Sequence, residues 1–406
     1  MRSNALSRYF GNLPREVLVL VAVAFAVAVG FGIVFPAIPL FAKEFGVSNL
    51  AAGAVVSVFA LTRFVSAPAA GWLVNRTGER VILASGIGIV GVSSALAGLS
   101  QTYWQLLVLR GLGGIGSAMF TVSAFALVLR VVTPQQRGRA SGAFQAGFLI
   151  GGITGPLFGA PLLAISPRLP FFVYSVTLLA AGGIGLVFLA KSDLRARERE
   201  AGTLEPPTSV RIALRSRAYW AALSNNFATG WAVFGLRGSL LPIFVIEGLL
   251  LPEGWVGAGI FISALAQGAL LIPAGHASDT RGRRPSLILG ATLLAGAFCL
   301  LATVETMASY VVAMVVFGVG SAYIGTSSNA AVGDVVKGRG GTAIAVYQMS
   351  SDLGAFSGPL IAGFLADTAS FGWAFAATAG VCVVGAILAV LMPETLRKEP
   401  QAQPPS

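Results

Sequence analysis

Charge is scarce in this chain of 406 residues: Asp, Glu, Lys and Arg together make up 11% of it, where a soluble domain carries about 25%. Histidine is scarcer still. His276 stands alone, which excludes a multi-histidine metal site and any Ser-His-Asp arrangement built on a second histidine. The two cysteines, Cys299 and Cys382, lie inside apolar runs with no CxxC and read as small core residues. Neither HExxH nor a GxxxxGK[ST] loop occurs, so zinc-peptidase chemistry and nucleotide-driven pumping within this chain lack their usual parts. No enzyme activity, cofactor or metal is expected.

What the chain has in abundance is apolar sequence. Hydrophobic residues reach 55% and the mean hydropathy is +0.81, the signature of a polytopic membrane protein. A membrane span needs about 20 apolar residues. Runs of that length fall at 17–42, 49–74, 81–100, 104–131, 139–164 and 169–190, and again at 218–246, 254–277, 285–304, 307–333, 341–366 and 372–392. The run after Arg2, Arg8 and Arg15 is too long for a cleavable signal and is read as the first span, retained. The expected architecture is all-α, with twelve transmembrane helices in two six-helix bundles. The bundles occupy 1–190 and 218–392, joined by a linker at 191–217 with Pro206 and Pro207 and followed by a tail at 393–406.

The basic residues set the orientation. A net charge of +11 would suit nucleic acid in a soluble chain, but here 22 of the 27 lysines and arginines fall in the tails and alternate loops on one side. That side is expected to be cytoplasmic, with both termini inside the plasma membrane and anionic lipid headgroups as the partner of the charge. No nucleic-acid partner is expected, and the chain is expected to act as a monomer.

The two halves repeat. Gly71 to Arg80 reads GWLVNRTGER, and 204 residues later Gly275 to Arg284 reads GHASDTRGRR. Both begin with glycine, place a polar or acidic residue fifth (Asn75, Asp279) and a second glycine eighth (Gly78, Gly282), and set arginines around it (Arg76, Arg80, Arg283). Glycine permits close backbone approach and positive φ. Gly116-Ser117-Ala118 returns as Gly320-Ser321-Ala322 at the same offset, and Gln145 with Gly155-Pro156 returns as Gln348 with Gly358-Pro359. Several matches at nearly one offset indicate duplication.

Three motifs together resemble the major facilitator superfamily, over nearly the whole chain. The Gly71–Arg80 stretch is similar to that family's loop between helices two and three. Arg110-Gly111-Leu112-Gly113-Gly114-Ile115-Gly116 resembles its fourth-helix motif. Gly151 to Ala160, GGITGPLFGA, resembles the fifth-helix motif GxxxGPxxGG of its antiporting exporters. The resemblance implies alternating access around a mid-membrane cavity and export of small organic molecules, drug-like or metabolite, in exchange for protons. Uptake or facilitated diffusion of a polar or anionic nutrient is the alternative, and a non-transporting receptor or scaffold the rival class. The family's usual aspartate at the fifth loop place is Asn75 here. That residue cannot make a charged pair, so a weaker latch on the outward-facing state is expected.

The candidate site residues follow from cost, since ionisable groups inside a membrane default to function. Arg63, Arg110, Arg237 and Asp352 are the four deep in spans. Asp352, the one deep carboxylate, is either a proton carrier or a static partner of Arg63 or Arg237; Arg110 occupies the family's motif arginine. Three cations against one anion favour an anionic or polar substrate. Polar residues at similar depth, Gln145, Asn225, Asn226, Gln267, Tyr323, Asn329, Tyr347 and Gln348, with aromatics such as Phe31, Phe35, Phe144 and Trp231, make up a candidate cavity. Gly151, Gly155 and Gly159 recur every fourth residue and line one helix face suited to close packing, while Pro156 bends that helix. These join the paired turns as expected gating elements.

Overall fold

The structure is a computed structural model that describes residues 14–131, 137–189, 210–304, 306–336 and 341–396. The N-terminal tail, most of the linker and the end of the C-terminal tail lie outside these residues. Within them are twelve long helical segments and no strand: α1 (Arg15–Lys43), α2 (Asn49–Thr77), α3 (Glu79–Gly98), α4 (Tyr103–Arg130), α5 (Arg137–Ile165), α6 (Leu169–Leu189), α7 (Arg217–Gly248), α8 (Gly254–Arg281), α9 (Arg283–Thr303), α10 (Met307–Val335), α11 (Gly341–Thr368) and α12 (Phe371–Leu391). Ten are long and apolar enough to cross a membrane, and α6 and α11 complete the set. Apart from ends displaced by a few residues, these are the apolar runs of the sequence.

Short polar signals start the helices. Ser48, Thr102, Thr306 and Ser370 each accept a hydrogen bond from a backbone amide in the first turn of α2, α4, α10 and α12, answering donors a helix cannot satisfy internally. At the opposite end the connections tighten to one residue. Gly78 separates α2 from α3 at φ +94°, and Gly282 separates α8 from α9 at φ +121°, conformations that glycine adopts without steric cost. This end is called the turn face below and the other the far face. The first glycines of the two repeats behave otherwise. A Cβ built on Gly71 or Gly275 meets nothing within 4 Å, so close approach, one of the two roles expected of the repeated glycines, is not met there.

Within the first half α1 packs on α5 and α6, α3 on α4 and α6, and α2 on α4. In the second half α9 packs on α10 and α12, α8 on α10, and α7 on α10, α11 and α12. The α1–α5 contact depends on absent side chains. Cβ atoms at Gly147, Gly151, Gly155 and Gly159 would lie 2.8, 2.5, 2.6 and 2.8 Å from the carbonyl oxygens of Val21, Phe25, Val29 and Ile33. The repeat carries this over to α11, where a Cβ on Gly354 would lie 2.7 Å from the backbone nitrogen of Trp231 in α7 and one on Gly358 3.1 Å from its ring.

Helix α7 is not regular. Beyond Thr229 it widens to a π-helical stretch at Gly230–Gly235, tightens at Leu236–Gly238, and widens again at Phe244–Gly248. Gly230 abuts the Ser351 carbonyl and Gly238 the Phe35 ring, so the glycines that allow these approaches also loosen the helix. Interruptions of this kind recur at functional sites.

Candidate functional site

The halves meet along α2 with α11 and α5 with α8, and the end of α1 touches the middle of α7. At mid-depth in this seam Arg63 of α2 faces Asp352 of α11, Nη2 to Oδ1 at 3.4 Å. Of the two partners the sequence allowed for Asp352, the fold brings Arg63. Their side chains are 34% and 17% exposed, so the pair is partly screened yet held off bulk water. Thr62, the neighbour of Arg63, donates to the Gly111 carbonyl at 2.8 Å, fixing α2 on α4.

The other two deep arginines are held inside separate halves. Arg110 is buried, with its guanidinium carbon 4.5 Å from the centre of the Phe59 ring. Arg237 is half-buried and lies 5.7 Å from the Phe317 ring, and its Nη1 reaches Ser263 Oγ at 3.5 Å. Neither guanidinium has a carboxylate partner among the described residues, and the Nε of each is buried without a hydrogen bond. Aromatic faces attract a cation by about 1–2 kcal/mol when desolvated, which offsets only part of the cost of burying one. Ser263 stands 204 residues after Phe59, so the two guanidiniums occupy corresponding places in the repeat although they come from different helices.

The polar candidates divide by what they touch. Asn225 is fully buried and donates to the carbonyls of Ala221 and Gly385 at 2.9 and 3.0 Å, tying α7 to α12. Trp231 is buried and donates from Nε1 to Thr378 Oγ1 at 3.1 Å. Asn226 donates to the Tyr347 carbonyl at 2.6 Å and to Ser350 Oγ at 3.3 Å, and Tyr347 donates to Asn329 Oδ1 at 3.0 Å. These join α7, α11 and α10 two turns or less from Asp352. Gln348 is exposed one turn from Asp352, while Gln267 and Tyr323 are half-buried. Phe31 and Phe35 stack at 4.9 Å, and Phe31 also meets Phe59 and Tyr174, so the aromatic wall continues to Arg110. The side chains of Gln145 and Asn75 lie outside the described residues.

The turn-face candidates form local contacts. Arg76 lies over the Trp72 ring at 5.3 Å. Arg283 pairs closely with Asp279 and places Nε 3.3 Å from Asp334 Oδ2 at the end of α10. The acid of the second repeat is thus engaged within its own half.

Sequence reasoning missed the far face. There Asp367 of α11 accepts from the backbone amides of Asn49 and Leu50 at 2.9 and 2.7 Å. Lys43 pairs with Glu247 at 3.1 Å and donates to Asn49 Oδ1 at 3.2 Å, and Ser57 donates to the Phe356 carbonyl at 2.7 Å. Polar residues at the ends of spans read as mere termini, and partners that are backbone groups leave no mark in the sequence. These bonds across the seam cluster on the far-face side of the Arg63–Asp352 pair. Among the described residues, the polar bonds between the halves thus lie at mid-depth and on the far-face side.

Comparison with known proteins identifies the family. The Major Facilitator Superfamily profile matches residues 20–266 and 240–406. The chain belongs to the major facilitator superfamily. Among its relatives, Multidrug resistance protein 1 of Bacillus subtilis is 30% identical over 182 residues, 45% of this chain and 47% of that protein. The chain thus spans about half the length of this relative. An MFS-type transporter of Methanocaldococcus jannaschii is 24% identical over 88% of this chain and 92% of its own. A solved POT family transporter in complex with 5-aminolevulinic acid superposes with a TM-score of 0.77 at 12% identity, over 94% of this chain and 96% of that one, which establishes the shared fold of this multi-pass membrane superfamily.

Proposed function

We propose that the chain is a secondary active transporter that exports small drug-like organic molecules in exchange for protons. The halves 1–190 and 218–392 rock about the seam, and the turn face is the cytoplasmic one, with both termini inside the plasma membrane and its arginines against anionic headgroups. The observation that carries this reading is the Arg63–Asp352 pair bridging the halves at mid-depth. A proton on Asp352 removes its charge and frees Arg63, which changes the attraction between the halves at the depth where a solute would sit. The multidrug resistance relative supports export, and so do the glycines of the fifth-helix motif, which hold α5 against α1.

A second reading, uptake or facilitated diffusion of a polar or anionic solute, draws on buried Arg110 and half-buried Arg237, two cations without a carboxylate partner among the described residues. Positive charge in a low-dielectric region disfavours a cationic solute. The test is efflux of ethidium and fluorescein, a cation and an anion, from cells lacking their main pumps. Wild type should expel one or both, and Asp352→Asn neither. Equal efflux by wild type, Asp352→Asn and empty cells would refute the export reading, and preferential accumulation of fluorescein would favour the second.

A further inference from the structure

Helix α11 carries two aspartates, and the proposed cycle uses only Asp352. Asp367 reaches out of its own half: Oδ1 accepts from the Asn49 amide at 2.9 Å and Oδ2 from the Leu50 amide at 2.7 Å. These amides belong to the first turn of α2, where a helix leaves four donors without internal partners and presents the positive end of its dipole. Ser48 answers a third donor in the same turn, from Ala51 at 3.3 Å. One carboxylate therefore completes the cap of a helix in the opposite half.

Glycines make the approach possible. A Cβ at Gly363, one turn before Asp367, would lie 2.8 Å from both the Asn49 oxygen and the Leu50 Cα, and one at Gly53 would lie 2.7 Å from the Pro359 oxygen. Lys43 touches Asn49 through Oδ1 and pairs with Glu247, so its charge is already engaged.

We propose that Asp367 is the positioning residue that latches the far face: it holds that face shut by capping α2 across the seam, and the far face opens only when the cap is given up. The role in a cycle rests on the alternating-access reading above, whereas the latch itself is a property of two conformations. Spin labels at Gln101→Cys and Met307→Cys, exposed far-face positions in opposite halves, measure it by pulsed dipolar spectroscopy in nanodiscs, with Cys299→Ser and Cys382→Ala as background. Asp367→Asn keeps the size and removes the charge. It should raise the ratio of long to short separations about three- to tenfold, the scale of a charge at a helix N-terminus with its charge-assisted bonds. Asp367→Glu should restore most of the short separation, and Gly363→Val should lengthen it by bulk.

Unchanged distances in Asp367→Asn overturn the proposal. A change in Gly363→Val alone also overturns it, because packing and not the carboxylate would then hold the seam. If Asp367→Asn shifts the distances while liposomes of the wild type carry no solute, the latch stands and the transport reading falls.

Discussion

Removing the ion pair between Arg63 and Asp352 tests whether the two halves are coupled at mid-depth. At the observed 3.4 Å, two unit charges attract by about 5 kcal/mol at an effective dielectric of 20, an upper bound before desolvation. With Arg63 34% and Asp352 17% exposed, water screens the pair and the bound must be cut. Exposed pairs are worth about 0–1 kcal/mol, while breaking buried ones costs about 3–5 kcal/mol, so a partly exposed pair should fall near 2 kcal/mol. The measurement is a double-mutant cycle of Arg63→Gln, Asp352→Asn and the double variant, followed by equilibrium unfolding in mixed detergent micelles. Each single change leaves one charge without its partner; the double change leaves neither. The double variant should therefore lose ~2 kcal/mol less than the sum of the singles. Additivity within about 0.5 kcal/mol, as found for independent sites, would refute the coupling and with it the assignment of the pair as the centre of the seam.

Three further outcomes are expected. Gly155→Ala puts a Cβ 2.6 Å from the Val29 oxygen and 2.7 Å from the Gly32 Cα, forcing α5 off α1, so it should destabilise by about 1–3 kcal/mol; an unchanged melting temperature would show that the helices can part at no cost. Trp231→Phe removes the bond to Thr378 and leaves a buried hydroxyl with one partner fewer. It should cost about 1–2 kcal/mol in the same assay, and a neutral change would mean that the ring alone does the packing. Asn75→Asp restores a charge at the first repeat, and cysteine accessibility at the two faces should shift between wild type and variant; identical labelling would show that the fifth place has no bearing on the conformational balance.

The fold was legible because the membrane imposes a simple code. Apolar runs at helix length located all twelve segments, and of the two roles expected of the repeated glycines, close approach and positive φ, Gly78 and Gly282 take the second. Gly71 and Gly275 misled for a physical reason: a repeated glycine reads the same whether it meets a neighbouring backbone or open space, and here it meets open space. The stripe Gly151, Gly155 and Gly159 declared a packing face, but only the fold names α1 as what it packs on. Facing is the general obstacle. Asp352 had two arginines within plausible reach of its depth, and the rotation of α2 relative to α11 selects Arg63. Asp367 was illegible because its partners are backbone amides, which carry no sequence signature. The irregular course of α7 was equally hidden, since Gly230, Gly235 and Gly238 loosen a helix without prescribing π-turns.

The central claim is that Asp352 carries the proton whose movement is exchanged for solute. Proteoliposomes containing the purified protein and an internal pH-sensitive dye, challenged with ethidium or fluorescein, test it directly. The wild type should move protons against at least one of the two, and Asp352→Asn should lose the proton movement while still exchanging labelled for unlabelled solute. Proton movement by Asp352→Asn at the wild-type rate would contradict the account.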